Sequence, residues 1–293
     1  MNQTSSTFSR QRRSIAAAFT RVELAVVIGL VVLLAGLAIA FARHTASRSK
    51  PNVCRGNLRQ LGAAMSIYSL SCDTKLPYAS LIFSNRSQTT WDTLLSPILR
   101  SEMKKVIGDP NVAAPSQSAV NHLLLCPSDT IPPAAWAQKY KLHRRTYSIT
   151  RHNMALANWP PGPGNATGIG LNWTFGPFGT NPPSAKIYST STNRQASVRL
   201  GMILKPAETL LLAEHAWTNN IVANGAGSWI DRTGDHVEQS RLPAATYHSG
   251  RFNYLKVDGH VDLMFPDETV GTNGVVGDDP RRHGGMWTIR AND

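Results

Sequence analysis

Residues Leu24 to Ala42 read LAVVIGLVVLLAGLAIAFA, nineteen positions without a charged side chain. As a helix this run is about 28 Å long, enough to cross the hydrocarbon core of a bilayer. Val and Ile form helix poorly in water, but in lipid a helix satisfies every backbone polar group within itself. A buried core helix is the competing reading. The length, the uniform apolarity and the polar, basic stretch before it, with Arg10, Arg12 and Arg13, argue against that. A second competitor is a secretory signal cut after Ala40-Phe41-Ala42, which has the A-x-A form. The run exceeds the apolar region of about 7–15 residues usual in such signals. Charge does not orient the segment, because Arg10, Arg12, Arg13 and Arg21 on one side face Arg43, Arg48, Lys50 and Arg55 on the other.

The residues at the head of the run narrow its meaning. Ala18-Phe19-Thr20-Arg21-Val22-Glu23-Leu24 follows the short basic leader, and this junction resembles the cleavage and N-methylation motif of type IV prepilins and pseudopilins. The resemblance implies removal of residues 1–18 by a prepilin peptidase/methyltransferase, cleavage between Ala18 and Phe19, and methylation of the new Phe19 amine. It implies that the apolar helix stays with the mature protein as both membrane anchor and filament core. It assigns Glu23 to pairing with the N-terminal amine of a neighbouring pilin subunit. An acidic group at the edge of an apolar helix is costly in lipid, up to about 2.5–3.5 kcal/mol at the bilayer centre and less near its surface, so a partner cation there is physically apt. Two positions depart from the family pattern: Ala18 stands where Gly is usual, and Arg21 where an apolar residue is usual.

Beyond the run, residues 43–50 are polar and Pro51 is expected to kink or interrupt the helix. Apolar spacing then resumes at Cys54, Leu58, Leu61, Met65 and Tyr68, the face of an amphipathic helix expected to pack beneath a sheet. Cys54-Arg55-Gly56-Asn57-Leu58-Arg59-Gln60-Leu61-Gly62, Leu124 to Asp129 and Pro206 to Glu214 resemble landmarks of a large bacterial class of pilin-like proteins. The last also reads, by itself, as a turn leading into a buried strand. Three cysteines leave at most one internal pair. Cys54 and Cys72 are about 27 Å apart along a continuous helix, too far to bond, and export would make Cys72–Cys126 the candidate disulfide. Residues 73–200 are rich in Pro, Gly, Ser, Thr and Asn. Trp159 to Gly164 reads as loop, and Asn165-Ala166-Thr167 has the form of a glycosylation acceptor. The formal charge is +12, and +9 (12 − 3) without the leader's three arginines. No basic run interleaved with aromatics and no DNA- or RNA-binding motif accompanies it, so the reading is a solvated basic surface and no nucleic-acid partner.

Near the end, Phe252 to Val257 and His260 to Phe265 flank Asp258-Gly259, a two-residue hairpin signal. That turn would set Tyr254 opposite Leu263 and Phe252 opposite Phe265. Phe252, Tyr254, Val261, Leu263 and Phe265 would then share the face that packs on the helix. His248, nine residues and Asp258-Gly259 also match the H-x9-DG signature of the same pilin-like class. A metal reading draws on His248, Asp258, His260 and Asp262, extends at most to His215 and Glu214, and favours Ca²⁺ if carboxylates and carbonyls are the ligands. The alternative is that Asp258 and Gly259 serve turn geometry while His248 caps or hydrogen-bonds locally.

The expected fold is therefore α+β and pilin-like: a long N-terminal helix, partly transmembrane, packed on an antiparallel sheet, with long loops and a C-terminal hairpin. The expected parts are a leader (1–18), a membrane and filament-core helix (19–42), its amphipathic continuation (43–72) and an extracytoplasmic domain (73–293). The function these residues and the resemblance imply is structural, with no catalysis and no cofactor. It is that of a subunit held by a single pass in the inner membrane and assembled with like or related subunits in a type II secretion or type IV pilus-like system. A membrane-tethered protein that binds a glycan or surface ligand through residues 73–200 is the alternative.

Overall fold

The computed structural model describes residues 21–82, 88–107, 116–150, 172–174, 198–225, 227–230, 233, 247–271 and 285–289, with backbone only for residues 23, 38–49, 81–82, 103–107 and 172–174. The leader, Ala18 and Phe19, the loop 159–164 and the acceptor pattern at Asn165 lie outside them. The chain divides into two compact units, residues 1–48 and 49–293.

Helix α1 runs from Arg21 to Ser71 with Pro51 inside it. Of the kink or interruption expected at Pro51, the interruption does not occur. A proline in a helix interior costs about 3 kcal/mol, but the chain just beyond it is anchored by burial of Cys54, Leu58, Leu61, Ala64 and Met65, each at most 1% exposed. In the first unit, the apolar residues from Leu24 to Leu37 are exposed on every side of the helix. Among the described residues, no helix is long and apolar enough to cross a membrane.

In the second unit the fold is α+β. A five-stranded sheet has the order β6-β3-β5-β7-β8, built from β3 (Tyr147–Thr150), β5 (Leu210–Glu214), β6 (Trp229–Ile230), β7 (Phe252–Lys256) and β8 (Val261–Met264). It is mixed rather than antiparallel throughout, since β3 and β6 run parallel while the other pairs are antiparallel. A smaller sheet joins β1 (Ser80–Ile82) to β2 (Gln88–Thr90) and β4 (Asn172–Thr174). Among the described residues, α2 (Trp91–Ile107), α3 (Gln117–Leu123) and α4 (Ala135–Lys139) follow.

The central strand β5 is buried at all five positions, as a strand covered on both faces must be. A bulge between Leu210 and Leu212 lets Leu211 and Leu212 both join the helix-side core, while Leu210 and Ala213 join the core on the opposite face. The helix-side core packs α1 and α2 (Trp91, Leu95, Leu99) against Tyr147, Ile149, Leu212 and Leu255. Helix and sheet approach closely at Gly62, where an added Cβ would lie 3.0 Å from Leu255 Cδ1.

The hairpin forms, but not in the expected register. Phe252 pairs with Met264, Tyr254 with Asp262 and Leu255 with Val261. The amide of Lys256 donates to His260 O at 2.8 Å, and Gly259 has φ +93°. The connection is thus the three-residue loop Val257-Asp258-Gly259 with its glycine left-handed, a turn closed by a bulge rather than a two-residue turn. A shift of one residue on one strand changes which side chains share a face. Leu255 and Val261 accordingly face the helix-side core, and Phe252 and Tyr254 pack on the other face with Val270 and Trp287.

Replacing Gly259 by Ala meets no neighbour within 4 Å, so its cost is conformational and should be about 1–2 kcal/mol by denaturant unfolding. Gly56→Ala, in open space on helix α1, should instead stabilise by about 0.5–1 kcal/mol. No loss of stability in Gly259→Ala would count against the turn assigned to Gly259.

Candidate functional site

The four places that stand out in the sequence (Cys54 to Gly62, Leu124 to Asp129, Pro206 to Glu214 and the His248 signature) converge where α1 meets the sheet. Cys54 and Cys126 form a disulfide with Cα atoms 5.0 Å apart. This corrects the Cys72–Cys126 expectation: Cys72 follows the last turn of α1 and is a free thiol. Helical spacing places Cys54 on the buried face, where Cys126 arrives from the loop after α3. Beside the bond, the Asn57 side-chain amide donates to Leu125 O at 3.3 Å, and the Tyr147 hydroxyl to Cys54 O at 3.4 Å.

Glu214 ends β5 and points to the helix side, flanked across the ladders by Tyr147 on β3 and Asn253 on β7. It is fully buried. Its Oε2 accepts from the Asn253 amide at 2.7 Å and its Oε1 from Asn253 Nδ2 at 3.0 Å. Its Oε1 also lies 3.2 Å from His248 Nε2. Burial, followed by the nearby Glu214 charge, pushes the Tyr147 hydroxyl well above its ordinary range, with a hydrogen bond from Asn57 opposing. Burial and then Glu214 act the same way on Tyr254.

His248 reaches this point from a tight turn. His248 and Ser249 have φ +43° and +63°, and Gly250 follows at +86°. Two consecutive non-glycine residues in the left-handed region cost about 1–2 kcal/mol each, and the result is an imidazole aimed inward with its side chain 2% exposed. Its Nε2 is 3.6 Å from Cys126 Sγ, and its Nδ1 is 3.5 Å from Ser128 Oγ. The same loop is held from behind: Thr146 Oγ1 accepts from the Cys126 amide and donates to Asp129 Oδ2, and Asp129 pairs with Arg144.

The structure therefore divides the expected metal set. His248 joins Glu214, Cys54 and Cys126. Asp258 instead accepts from the His260 amide at 3.0 Å and contacts its ring Nδ1 at 2.7 Å, at the hairpin tip. Asp262 pairs with Lys256 at 2.6 Å. His215, although next to Glu214, turns to Ser148 Oγ at 3.0 Å. The Asp-Gly half of the signature has its own partners: the amides of Val257 and Asp258 donate to the carbonyls of Thr209 and Pro206. The signature thus clamps β5 at both ends, His248 at Glu214 and the turn at Pro206–Thr209. Sequence reasoning missed Cys54 and Asn253. The helical phase of Cys54 was a usable signal for the first; for the second only strand pairing supplies one.

Compared with known proteins, the chain matches no family model, no curated protein and no solved structure.

The disulfide closes a separation of 72 residues, so a Cys54→Ala/Cys126→Ala variant should lose about 4 kcal/mol of stability in urea, against under about 1 kcal/mol for Cys72→Ser. The hairpin tip should also respond to acid. Slight desolvation raises the Asp258 pKa, but the His260 amide, the His260 ring and Lys256 outweigh it and hold the carboxyl below its ordinary 3.8. Its contribution is then complete above about pH 4 and is lost only as pH falls through the lower folded value. The Asp258 carboxyl carbon followed by NMR should titrate below its ordinary 3.8; a midpoint at or above that value would contradict the assignment.

Proposed function

We propose that this chain is a pilin-like structural subunit, made as a precursor and assembled through its N-terminal helix in a type II secretion or type IV pilus-like system. The observation that carries this reading is the state of the helix before Arg48. From Leu24 to Leu37 its large apolar side chains are 47–66% exposed, around the whole circumference. An amphipathic helix has one apolar stripe and a polar face; this one has no polar face. Water disfavours such a surface by about 25 cal/mol per Å². Lipid relieves that cost, and so do identical helices packed together, the two settings of a pilin helix before and after assembly. The nineteen-residue run as a whole, not only the fourteen residues with described side chains, has the length to span a bilayer.

Three further features support the reading. The helix continues into a segment whose buried face packs on a sheet within an α+β unit. The Ala18–Leu24 junction resembles a prepilin processing site. Glu23 stands just ahead of the apolar run, where a neighbouring subunit's methylated Phe19 amine would neutralise it. Prepilin peptidase/methyltransferase and related subunits are the implied partners, and a single pass in the inner membrane with an extracytoplasmic body is the implied location.

Intact-mass and N-terminal analysis of the mature protein test this directly. A chain starting at N-methylated Phe19 is expected; one starting at Arg43 would replace the subunit with a secreted domain. Glu23→Ala should abolish incorporation into filaments while membrane insertion persists, and unchanged incorporation would refute the pairing role.

A further inference from the structure

We propose that Cys54, Cys126, Glu214 and His248 form a tetrahedral Zn²⁺ site when the cysteines are reduced, so that a zinc ion and a disulfide are alternative closures of one joint. This concerns the second unit alone and does not rest on how the N-terminal helix is used.

A buried disulfide is apolar and asks for apolar neighbours. Here its sulfurs face a fully buried carboxylate and a buried imidazole, and withdrawing a carboxylate from water costs several kcal/mol without compensation. His248 takes a left-handed backbone to be there, the kind of local strain that marks functional positions. Four donors of metal-binding type, two sulfurs, one nitrogen and one oxygen, lie within 4.8 Å of one another.

The separations fit a tetrahedron. Bond lengths of about 2.3 Å to sulfur, 2.0–2.1 Å to nitrogen and 2.0–2.2 Å to oxygen give edges of roughly 3.6 Å between sulfur and nitrogen and 3.4 Å between nitrogen and oxygen. The structure has 3.6 Å from Cys126 Sγ to His248 Nε2 and 3.2 Å from that same Nε2 to Glu214 Oε1. Opening the two reduced sulfurs to an edge of about 3.8 Å would complete the figure.

The surrounding groups are those that orient metal ligands. With Nε2 on the ion, the imidazole proton sits on Nδ1, which faces Ser128 Oγ at 3.5 Å. Asn253 holds Glu214 by its amide and its side chain. Mixed thiolate, imidazole and carboxylate ligation at four positions suits zinc rather than Ca²⁺, which takes six to eight oxygens.

The exchange balances. A dithiol reductant gives two electrons and two protons to the Cys54–Cys126 bond and becomes a disulfide itself. Zn²⁺ then displaces the two thiol protons to solvent as two Zn–S bonds form, and the Glu214 carboxylate and the Nε2 lone pair fill the remaining positions. Because the four ligating side chains are at most 2% exposed, the ion enters as the chain folds, and binding energy becomes folding energy.

The test uses the full-length chain in detergent, refolded with a dithiol reductant, with and without Zn²⁺ or Co²⁺. One zinc per chain should survive gel filtration, Co²⁺ should give thiolate charge-transfer and tetrahedral d–d bands, and oxidised protein should retain none. His248→Asn and Glu214→Gln should each weaken retention by at least about tenfold, the loss that disturbing even an outer-shell partner causes. Wild-type protein supplies a readout that needs no variant: zinc should protect Cys54 and Cys126 from alkylation while Cys72 reacts. Three reactive cysteines in the presence of zinc, a reduced chain that stays unfolded whether or not zinc is added, or equal retention by both variants would each overturn the proposal.

Discussion

The buried polar joint between helix α1 and strand β5 is the constraint on which the rest of the second unit depends. A helix lying on a sheet can slide or rotate at little cost when only aliphatic side chains meet, because hydrophobic contact is not directional. The Cys54–Cys126 bond, the Asn57 hydrogen bond to Leu125 and the Tyr147 hydroxyl on Cys54 O remove that freedom at the first turns of the buried segment. Glu214 and Asn253 do the same from the sheet side. Since Tyr147, Glu214 and Asn253 are buried, displacing one of them strands its partner without water, at a cost of about 1–3 kcal/mol.

A second buried polar centre plays a parallel part beside Trp91 of the helix-side core. Arg145 is fully buried, with Asp92 at 2.6 Å, Asn220 Oδ1 at 2.7 Å and Asn224 O at 2.8 Å, and its guanidinium lies over the Trp91 ring. Burial lowers its pKa, and the Asp92 charge works against that fall. This centre fixes the start of α2 relative to the segment after β5. Both centres lie on connections to β5, the strand covered on both faces.

The N-terminal helix follows a different logic. Among the described residues its apolar side chains from Leu24 to Leu37 are all exposed, and under the proposed function their partners are lipid and other copies. Polar, specific contacts secure the second unit, whereas the anchor proposed for the first would rely on apolar area and on a single acidic residue at its edge.

Much of this was legible in the residues. The period of Cys54, Leu58, Leu61, Met65 and Tyr68 identified a buried helical face, because side chains three and four apart share one side. The run Leu210 to Ala213 identified a buried strand, and Asp258-Gly259 a turn. The apolar run before Arg43 needed no structure to be recognised as unfit for water. What the sequence could not decide were distances between segments remote along the chain. Cys126 could have met Cys54 or Cys72, and only the path after α3 chose. The hairpin register turned on whether two or three residues close the loop, a difference smaller than any periodic signal resolves. His248, Glu214 and the disulfide came together because a left-handed turn, a strand end and a helix face meet at one point, and such coincidences belong to tertiary packing rather than to any local pattern.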